Sequence, residues 1–331
     1  MKTKVVIVGD GGWGTALAAL LSWKGRAVTL WSAFPDYAAE VARTRENQKF
    51  LPGIRIPAAV KIAVDPAEAL AGATWAVFAV PTPFLRAVAE RFPRPFPRAV
   101  RVVSVVKGLE ERTLRRPSEI LTEALGIRRV AVLSGPSHAE EVARGLPAAV
   151  VIASKSAALA REGQELFRTA SFRVYTSRDV TGVELGGGLK NVIGLAAGIA
   201  DGLDLGDNAK AAMLTRGVVE MARLGVALGA KRETFLGLSG IGDLITTSVS
   251  RHGRNHRVGE AIGRGKKLAD ILKDMEQVAE GVRTCLAVLT LAKRRGVAMP
   301  ITEEVVRILH EGKNPRRAVM DLMTREPRAE R

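Results

Sequence analysis

The segment that most constrains this chain is residues 5–14, VVIVGDGGWG. The apolar run Val5-Val6-Ile7-Val8 leads into Gly9, Gly11 and Gly14 at the spacing G-x-G-x-x-G. An unbroken stretch from Thr15 to Leu21 follows. That order reads as a buried strand, a tight turn and a helix. Gly9 permits the sharp turn, Gly11 leaves the backbone bare for a pyrophosphate, and Gly14 lets the helix lie close to the strand. Free N–H groups at the helix start then face the anion. Glycine clusters also make ordinary turns, but here both flanks carry the elements that a dinucleotide site needs.

Strand and helix patterns alternate as far as residue 180. Apolar runs at 27–31, 75–80, 100–106, 130–133, 148–153 and 172–175 read as strands, with helices at 66–71, 84–92, 117–125 and 157–169. Such alternation builds a doubly wound parallel sheet, with room for mixed strands at its edge. Residues 47–57, NQKFLPGIRIP, hold two prolines and read as a loop. Beyond 180 helical periodicity takes over, at 183–200, 208–225, 232–238, 255–263, 268–275, 284–295 and 302–309. The predicted fold class is α/β: a Rossmann-type doubly wound sheet domain at 1–180, then an all-α C-terminal domain at 181–331. A length of 331 residues and a hydrophobic content of 47% supply a core for both.

Lys and Arg number 50 against 34 Asp and Glu, a net charge of +16. Such an excess suits an anionic ligand or nucleic acid. The cations are scattered rather than gathered in one arm, and aromatics make up only 5%, too few for base-stacking platforms. Nucleic acid is therefore not an expected partner. No uncharged run of 18 apolar residues occurs, so no stable membrane insertion is expected. No apolar targeting segment precedes the first strand, and the expected location is cytoplasmic. The single cysteine, Cys285, excludes an internal disulfide and reads as a small buried hydrophobe. His252 and His256 have a helical ligand spacing, but Gly253 interrupts the helix and no third ligand is evident, so no metal is expected. The sequence contains neither G-x-S-x-G nor a Walker-type phosphate loop.

Chemistry-bearing residues gather elsewhere. Lys190 follows Gly186-Gly187-Gly188-Leu189 at the head of an apolar helix, where three glycines leave room for a ligand. A lysine ammonium there can stabilise a developing oxyanion and donate a proton. Asn191 is placed to fix the substrate or the lysine. Lys107 follows a strand on the crevice side. Ser134-Gly135-Pro136-Ser137-His138 is a turn whose N–H groups suit a phosphate, although Ser137 alone reads as a helix cap and His138 as structural. Asp243, in Gly240-Ile241-Gly242-Asp243-Leu244, can orient Lys190 or serve as a plain turn residue. The basic segment 251–257, RHGRNHR, can clamp a phosphate or form a solvated loop. Glu280 lies in another polar turn.

In NAD-binding folds an acid usually follows the second strand and holds the ribose hydroxyls. After Trp31 this chain has Ser32-Ala33-Phe34-Pro35, and Asp36 arrives late. Arg43 and Arg45 follow on the next helix. No acid is in place there to reject a 2′-phosphate and no arginine to attract one, so NAD and NADP both stay open.

Taken together, these segments resemble the bacterial-type NAD(P)-dependent glycerol-3-phosphate dehydrogenases over nearly the whole chain. The likeness rests on Gly9-Asp10-Gly11-Gly12-Trp13-Gly14-Thr15-Ala16, Lys107-Gly108-Leu109-Glu110, Ser134-Gly135-Pro136-Ser137, Leu189-Lys190-Asn191-Val192, Gly198-Ile199-Ala200-Asp201-Gly202, Gly240-Ile241-Gly242-Asp243-Leu244, Arg254-Asn255 and Met299-Pro300-Ile301-Thr302-Glu303-Glu304, all in one order. It implies reversible reduction of dihydroxyacetone phosphate to sn-glycerol 3-phosphate, supplying phospholipid synthesis, with NAD or NADP as cofactor. Lys190 would be the catalytic acid/base. Substrate would meet Lys107, Gly135, Ser137, Lys190, Asp243, Gly253, Arg254 and Asn255. The cofactor would meet Gly9, Gly11, Gly12, Trp13, Gly14, Lys107, Ala139, Arg254, Val278 and Glu280. Expected partners are a small phosphorylated substrate and a second copy of the chain.

Two positions depart from the pattern. Ala33 stands where the family often has Arg or His, which weakens any inference of NADP preference. Gly253 stands where it often has Ser, removing a hydroxyl from the phosphate site and leaving a backbone N–H as substitute. Two other readings share the fold. A ketopantoate-type or β-hydroxyacid reductase would take a carboxylate, whereas the Arg254 segment favours phosphate. A dinucleotide-binding sensor would bind without turnover.

Overall fold

The computed structural model describes residues 3–250, 253–273, 275, 279–327 and 329–330. Among these the first half holds ten strands: β1 (Lys4–Val8), β2 (Ala27–Trp31), β3 (Glu46–Asn47), β4 (Leu51–Arg55), β5 (Lys61–Ala63), β6 (Trp75–Phe78), β7 (Arg101–Ser104), β8 (Val130–Ser134), β9 (Ala148–Ala153) and β10 (Phe172–Ser177). Eight form one sheet in the order β10-β9-β8-β7-β6-β1-β2-β5. From β5 through β8 the neighbours run parallel, whereas β9 meets β8 antiparallel and pairs with β10 in parallel. The uninterrupted apolar runs have a direct cause: β6 is buried at every residue and β1 at all but its first. Chain order reverses at β1 and β6, so the crevice outside their carboxyl ends is where such a sheet takes a ligand.

Helices α1 (Gly12–Trp23), α2 (Pro35–Thr44), α3 (Pro66–Leu70), α4 (Thr82–Ala89), α5 (Pro117–Leu125), α6 (Ala139–Ala143) and α7 (Ala157–Phe167) follow or connect the strands. The stretch 47–57 is not the expected loop. It contributes to the antiparallel β3–β4 ribbon, whose register slips at Glu46/Asn47. A two-stranded ribbon tolerates Pro52 because its outer edge needs no N–H donor. The ribbon turns Asn47 inward, where its Nδ2 donates to the Asp10 carbonyl (2.6 Å) and the Thr15 hydroxyl (2.7 Å). It therefore braces the glycine loop. The three-residue β5 also escaped the sequence pattern, being too short to show a period.

After β10 no strand occurs among the described residues. Helix α8 (Val180–Gly202) runs about 35 Å, at 1.5 Å per residue, and is buried around nearly its whole circumference. Around it lie α9 (Gly206–Ala227), α10 (Arg232–Phe235), a π-helical turn at Leu238–Gly242, α11 (Asp243–Val249), α12 (Arg254–Gly263), α13 (Leu268–Lys273), α14 (Glu280–Arg294), α15 (Pro300–Glu311) and α16 (Pro315–Met323). Asp179 caps α8, accepting from the Gly182 amide at 2.9 Å, and also holds the Lys231 amide and the Thr234 hydroxyl. Glu184 ties α8 to the sheet half, accepting from Arg116 Nη1, the Ser118 amide and the Ser118 hydroxyl at 2.6–2.7 Å.

Lys190 lies in the middle of α8, not at its head, because the glycines before it continue the helix. Nor do they leave a ligand cavity. A Cβ at Gly186 would stand 2.4 Å from the Ser239 carbonyl, and one at Gly187 would stand 2.5 Å from the Ser134 hydroxyl. Their missing side chains admit protein: the end of β8, the loop after β7 and the π-helical turn all press onto α8. Cys285 is fully buried in α14, as a small hydrophobe should be.

Candidate active site

Two groups of residues face the crevice. The first is the loop after β1. Gly9 adopts φ +113° and its amide donates to the Trp31 carbonyl at 3.0 Å, seating the loop against the end of β2. A Cβ on Gly14 would lie 1.9 Å from the Gly9 carbonyl, so only glycine lets α1 start this close. Around Gly11, by contrast, a Cβ would meet nothing within 4 Å. No side chain caps α1, and its first turn carries no acid. The loop thus pairs an open cradle with uncapped N–H groups, which fits a dinucleotide pyrophosphate. Gly12 is packed rather than open: its Cβ would lie 2.6 Å from the Phe50 carbonyl, and Ala139 sits just beyond. Trp13 and Ala139 share an apolar cluster with Ala16, Leu51, Ile54 and Ala143.

The second group is a buried cluster of charges. Asp243, the first residue of α11 and 2% exposed, accepts from Lys190 Nζ on one oxygen (2.7 Å) and from Lys107 Nζ on the other (2.6 Å). Lys107 also donates to the Gly135 carbonyl at 3.2 Å, which draws the turn after β8 into the site. Lys190 Nζ makes a further bond to the Thr247 hydroxyl. Sequence reading passed over Thr247, although its place four residues after Asp243 puts both on one helix face.

These contacts set the charges. Burial pushes the Lys190 ammonium down to about 8; Asp243 opposes this and Lys107 adds to it. Burial alone would raise the Asp243 carboxyl, but Lys107 and Lys190 outweigh it and hold it below the ordinary value. The His138 imidazole is held low by burial and by both lysines.

The remaining predicted residues border this cluster. Gly253 is the N-cap of α12, and Arg254 and Asn255 begin that helix. A Cβ on Gly253 would lie 2.4 Å from the Thr247 carbonyl, and the Gly253 amide donates to Ser250. That amide is therefore already engaged and does not stand in for a serine hydroxyl. Asn255 is buried and accepts from the Gly281 amide at 2.9 Å, joining α12 to α14. Asn191 reaches Glu280 at 3.4 Å, so it fixes that acid rather than Lys190. Burial raises the Glu280 carboxyl, and Arg254, Lys107 and Lys190 work against that shift. Ser137 does not cap α6: its hydroxyl donates back to Gly135 (3.0 Å), and His138 occupies the N-cap.

His256 pairs with Asp201 at 2.7 Å. Val278, His252 and Arg251 lie outside the described residues. Among the described residues no group of three His, Cys, Asp or Glu side chains comes together as a metal site, and no helix is long and apolar enough to cross a membrane.

Comparison with known proteins agrees along the chain. Residues 4–160 match the family described as NAD-dependent glycerol-3-phosphate dehydrogenase N-terminus, and residues 179–320 match its C-terminus. A protein of Pelotomaculum thermopropionicum, named glycerol-3-phosphate dehydrogenase for NAD(P)+, is 50% identical over 328 residues, 98% of this chain and 94% of its own. One of the same name from Moorella thermoacetica is 49% identical over 98% of this chain and 97% of its own. The solved glycerol-3-phosphate dehydrogenase of Coxiella burnetii superposes with a TM-score of 0.94 at 39% identity, covering 98% of this chain and 99% of that one. The two family matches, over 4–160 and 179–320, and relatives about half identical along almost the whole chain place it in the NAD-dependent glycerol-3-phosphate dehydrogenase family.

Proposed function

We propose that the crevice reduces dihydroxyacetone phosphate reversibly to sn-glycerol 3-phosphate, with Lys190 as proton donor and a supply to phospholipid synthesis as its use. The observation that carries the role of Lys190 is its bridge through Asp243 to Lys107. An ammonium has three donors. Asp243 and Thr247 engage two, and the third is left for a substrate oxygen. A bound nicotinamide dinucleotide, NAD or NADP, supplies the hydride. Lys190 gives its proton to the alkoxide as that charge develops and takes one back in the reverse direction. A value near 8 suits both directions close to neutrality. Asp243 stays ionised between two cations and keeps Nζ aimed. Lys107 adds positive field on the same side.

The substrate phosphate is assigned to the start of α12, where Arg254 and the helix N-terminus favour an anion. Asn255 holds that helix in place, and Gly135 and Ser137 close the opposite wall. The pyrophosphate is assigned to Gly9–Gly14, with Gly12, Trp13 and Ala139 as its packed flank and Glu280 toward the nicotinamide end. This reading divides the chain near residue 180, with the sheet half for cofactor and the helical half for catalysis. It carries with it a cytoplasmic location and a second copy of the chain as partner.

Initial rates with dihydroxyacetone phosphate, taken in parallel with NADH and NADPH, test the activity. Absence of oxidation of either would overturn it. Ketopantoate as a control substrate should give no comparable rate. Light scattering of the purified protein tests the dimer.

A further inference from the structure

Ser32 is the first residue after β2, where NAD-binding folds carry the acid that holds the adenosine ribose. The sequence has no acid there, but the structure brings one from elsewhere. Asp10, between the first two glycines of the loop, accepts on Oδ2 from the Ser32 hydroxyl at 2.6 Å. The Ser32 oxygen in turn accepts from the Phe34 amide at 3.1 Å, which orients its proton toward Asp10.

The backbone of Asp10 is equally fixed. Its carbonyl takes Asn47 Nδ2 at 2.6 Å and the Thr15 hydroxyl at 3.3 Å, and Tyr37 holds Asn47 from behind at 2.6 Å. Asp10 is 8% exposed, and among the described residues no cation pairs with it. Arg45, at the end of the helix that follows β2, is turned away toward the carbonyls of Pro57 and Val60.

With the Ser32 hydroxyl, its own backbone amide and no cation for partners, this buried carboxylate keeps acceptor capacity to spare. We propose that Asp10, oriented by Ser32, is the acid that receives the ribose hydroxyls of the dinucleotide and makes this chain select NAD over NADP. A 2′-hydroxyl donates to the carboxylate. A 2′-phosphate brings about two negative charges to the same carboxylate, which among the described residues no cation pairs with. Burial raises the Asp10 carboxyl above its ordinary value, as expected of an acid lacking donors that a ribose diol would supply. The glycine loop thus holds two functions in adjacent residues: bare backbone for the pyrophosphate at Gly11, and the ribose acid at Asp10.

This inference rests on the dehydrogenase reading and needs only cofactor binding to test it. Titration calorimetry without substrate should give NADH binding at least about tenfold tighter than NADPH in the unmodified protein. Asp10→Asn keeps the side-chain size and removes the charge. It should tighten NADPH and shrink the preference by about tenfold. Ser32→Ala, which leaves the glycine loop untouched, should narrow the preference less. Equal binding of the two dinucleotides by the unmodified protein overturns the inference and leaves the dehydrogenase reading standing. So does a preference that Asp10→Asn does not change. Failure of both dinucleotides to bind overturns the cofactor reading and the inference together.

Discussion

Asp10, in the glycine loop after β1, and Asp243, at the start of α11, are each nearly sealed from solvent, and their carboxyls are pushed in opposite directions. Burial is the largest influence on both, and alone it would raise both. Asp243 has a lysine on each oxygen, and the two cations overcome the burial. Asp10 has a serine hydroxyl, its own amide and no cation, so burial prevails. Partners rather than depth decide whether a buried acid is at rest or in need of donors. The same contrast separates the glycine loop, which offers uncapped backbone and open space, from the lysine cluster, which offers paired charge.

The largest effect should come from the paired charge. Lys190→Ala should lower kcat/KM for dihydroxyacetone phosphate by roughly a thousandfold. NADH affinity, measured by calorimetry, should stay within about twofold, since the loop is a separate construction. A parallel loss of cofactor binding would erase the division of labour.

Next in size is a difference in sign between the two acids. Asp243→Asn leaves two lysines facing each other without their anion and should destabilise the fold by about 3 kcal/mol at pH 7. Asp10→Asn removes a charge that burial disfavours and should leave stability unchanged or raise it by up to about 1 kcal/mol. Urea denaturation measures both, and the same sign for both would break the comparison. The pH dependence follows. Asp243, held low, contributes stability that is present above the unfolded value of 3.8 and is lost as pH falls through its folded value. Asp10, raised, acts in reverse, so its contribution weakens as pH climbs from 3.8 through its folded value.

Two glycines sharpen the same point within the loop. Gly14→Ala drives a methyl into the Gly9 carbonyl and should cost about 2–3 kcal/mol of stability. Gly11→Ala fills only open space and should leave the melting temperature nearly unchanged while weakening NADH by about tenfold or more. If both variants melt alike and bind alike, the cradle assigned at Gly11 is wrong.

The smallest effect is a titration. Lys190 must be protonated to donate, so reduction should fall by about tenfold per pH unit above about 8. The reverse oxidation should instead climb toward that value and level off. A stopped-flow pH profile with cofactor saturating distinguishes this limb from loss of binding.

Much of this was legible in the sequence, for local reasons. Strand and helix alternation gave the sheet because β1 and β6 are buried on both faces and read as plain apolar runs. The helical half followed from periodicity along α8 and α9. The ribbon at 46–55 was hidden by Pro52 and by its brevity. Lys190 was visible as a lysine in an apolar helix, but its position mid-helix was not, because three glycines usually end helices and here they admit neighbouring chain. Thr247 left a signal in its spacing from Asp243, one that counts only once Asp243 is known to face inward.

Sequence alone determined the glycine loop, the fold that follows from it and the residue types available for chemistry. These depend on backbone freedom and local pattern, which neighbouring residues carry by themselves. The tertiary structure alone decided which charges meet. Asp243 finds Lys190 across 53 residues and Lys107 across 136, and Asp10 finds Ser32 across 22. An electrostatic partner is defined by distance in space, and no local pattern encodes it. That is why the ribose acid, absent where the sequence rule expects it, appears only when the loop folds against the end of β2.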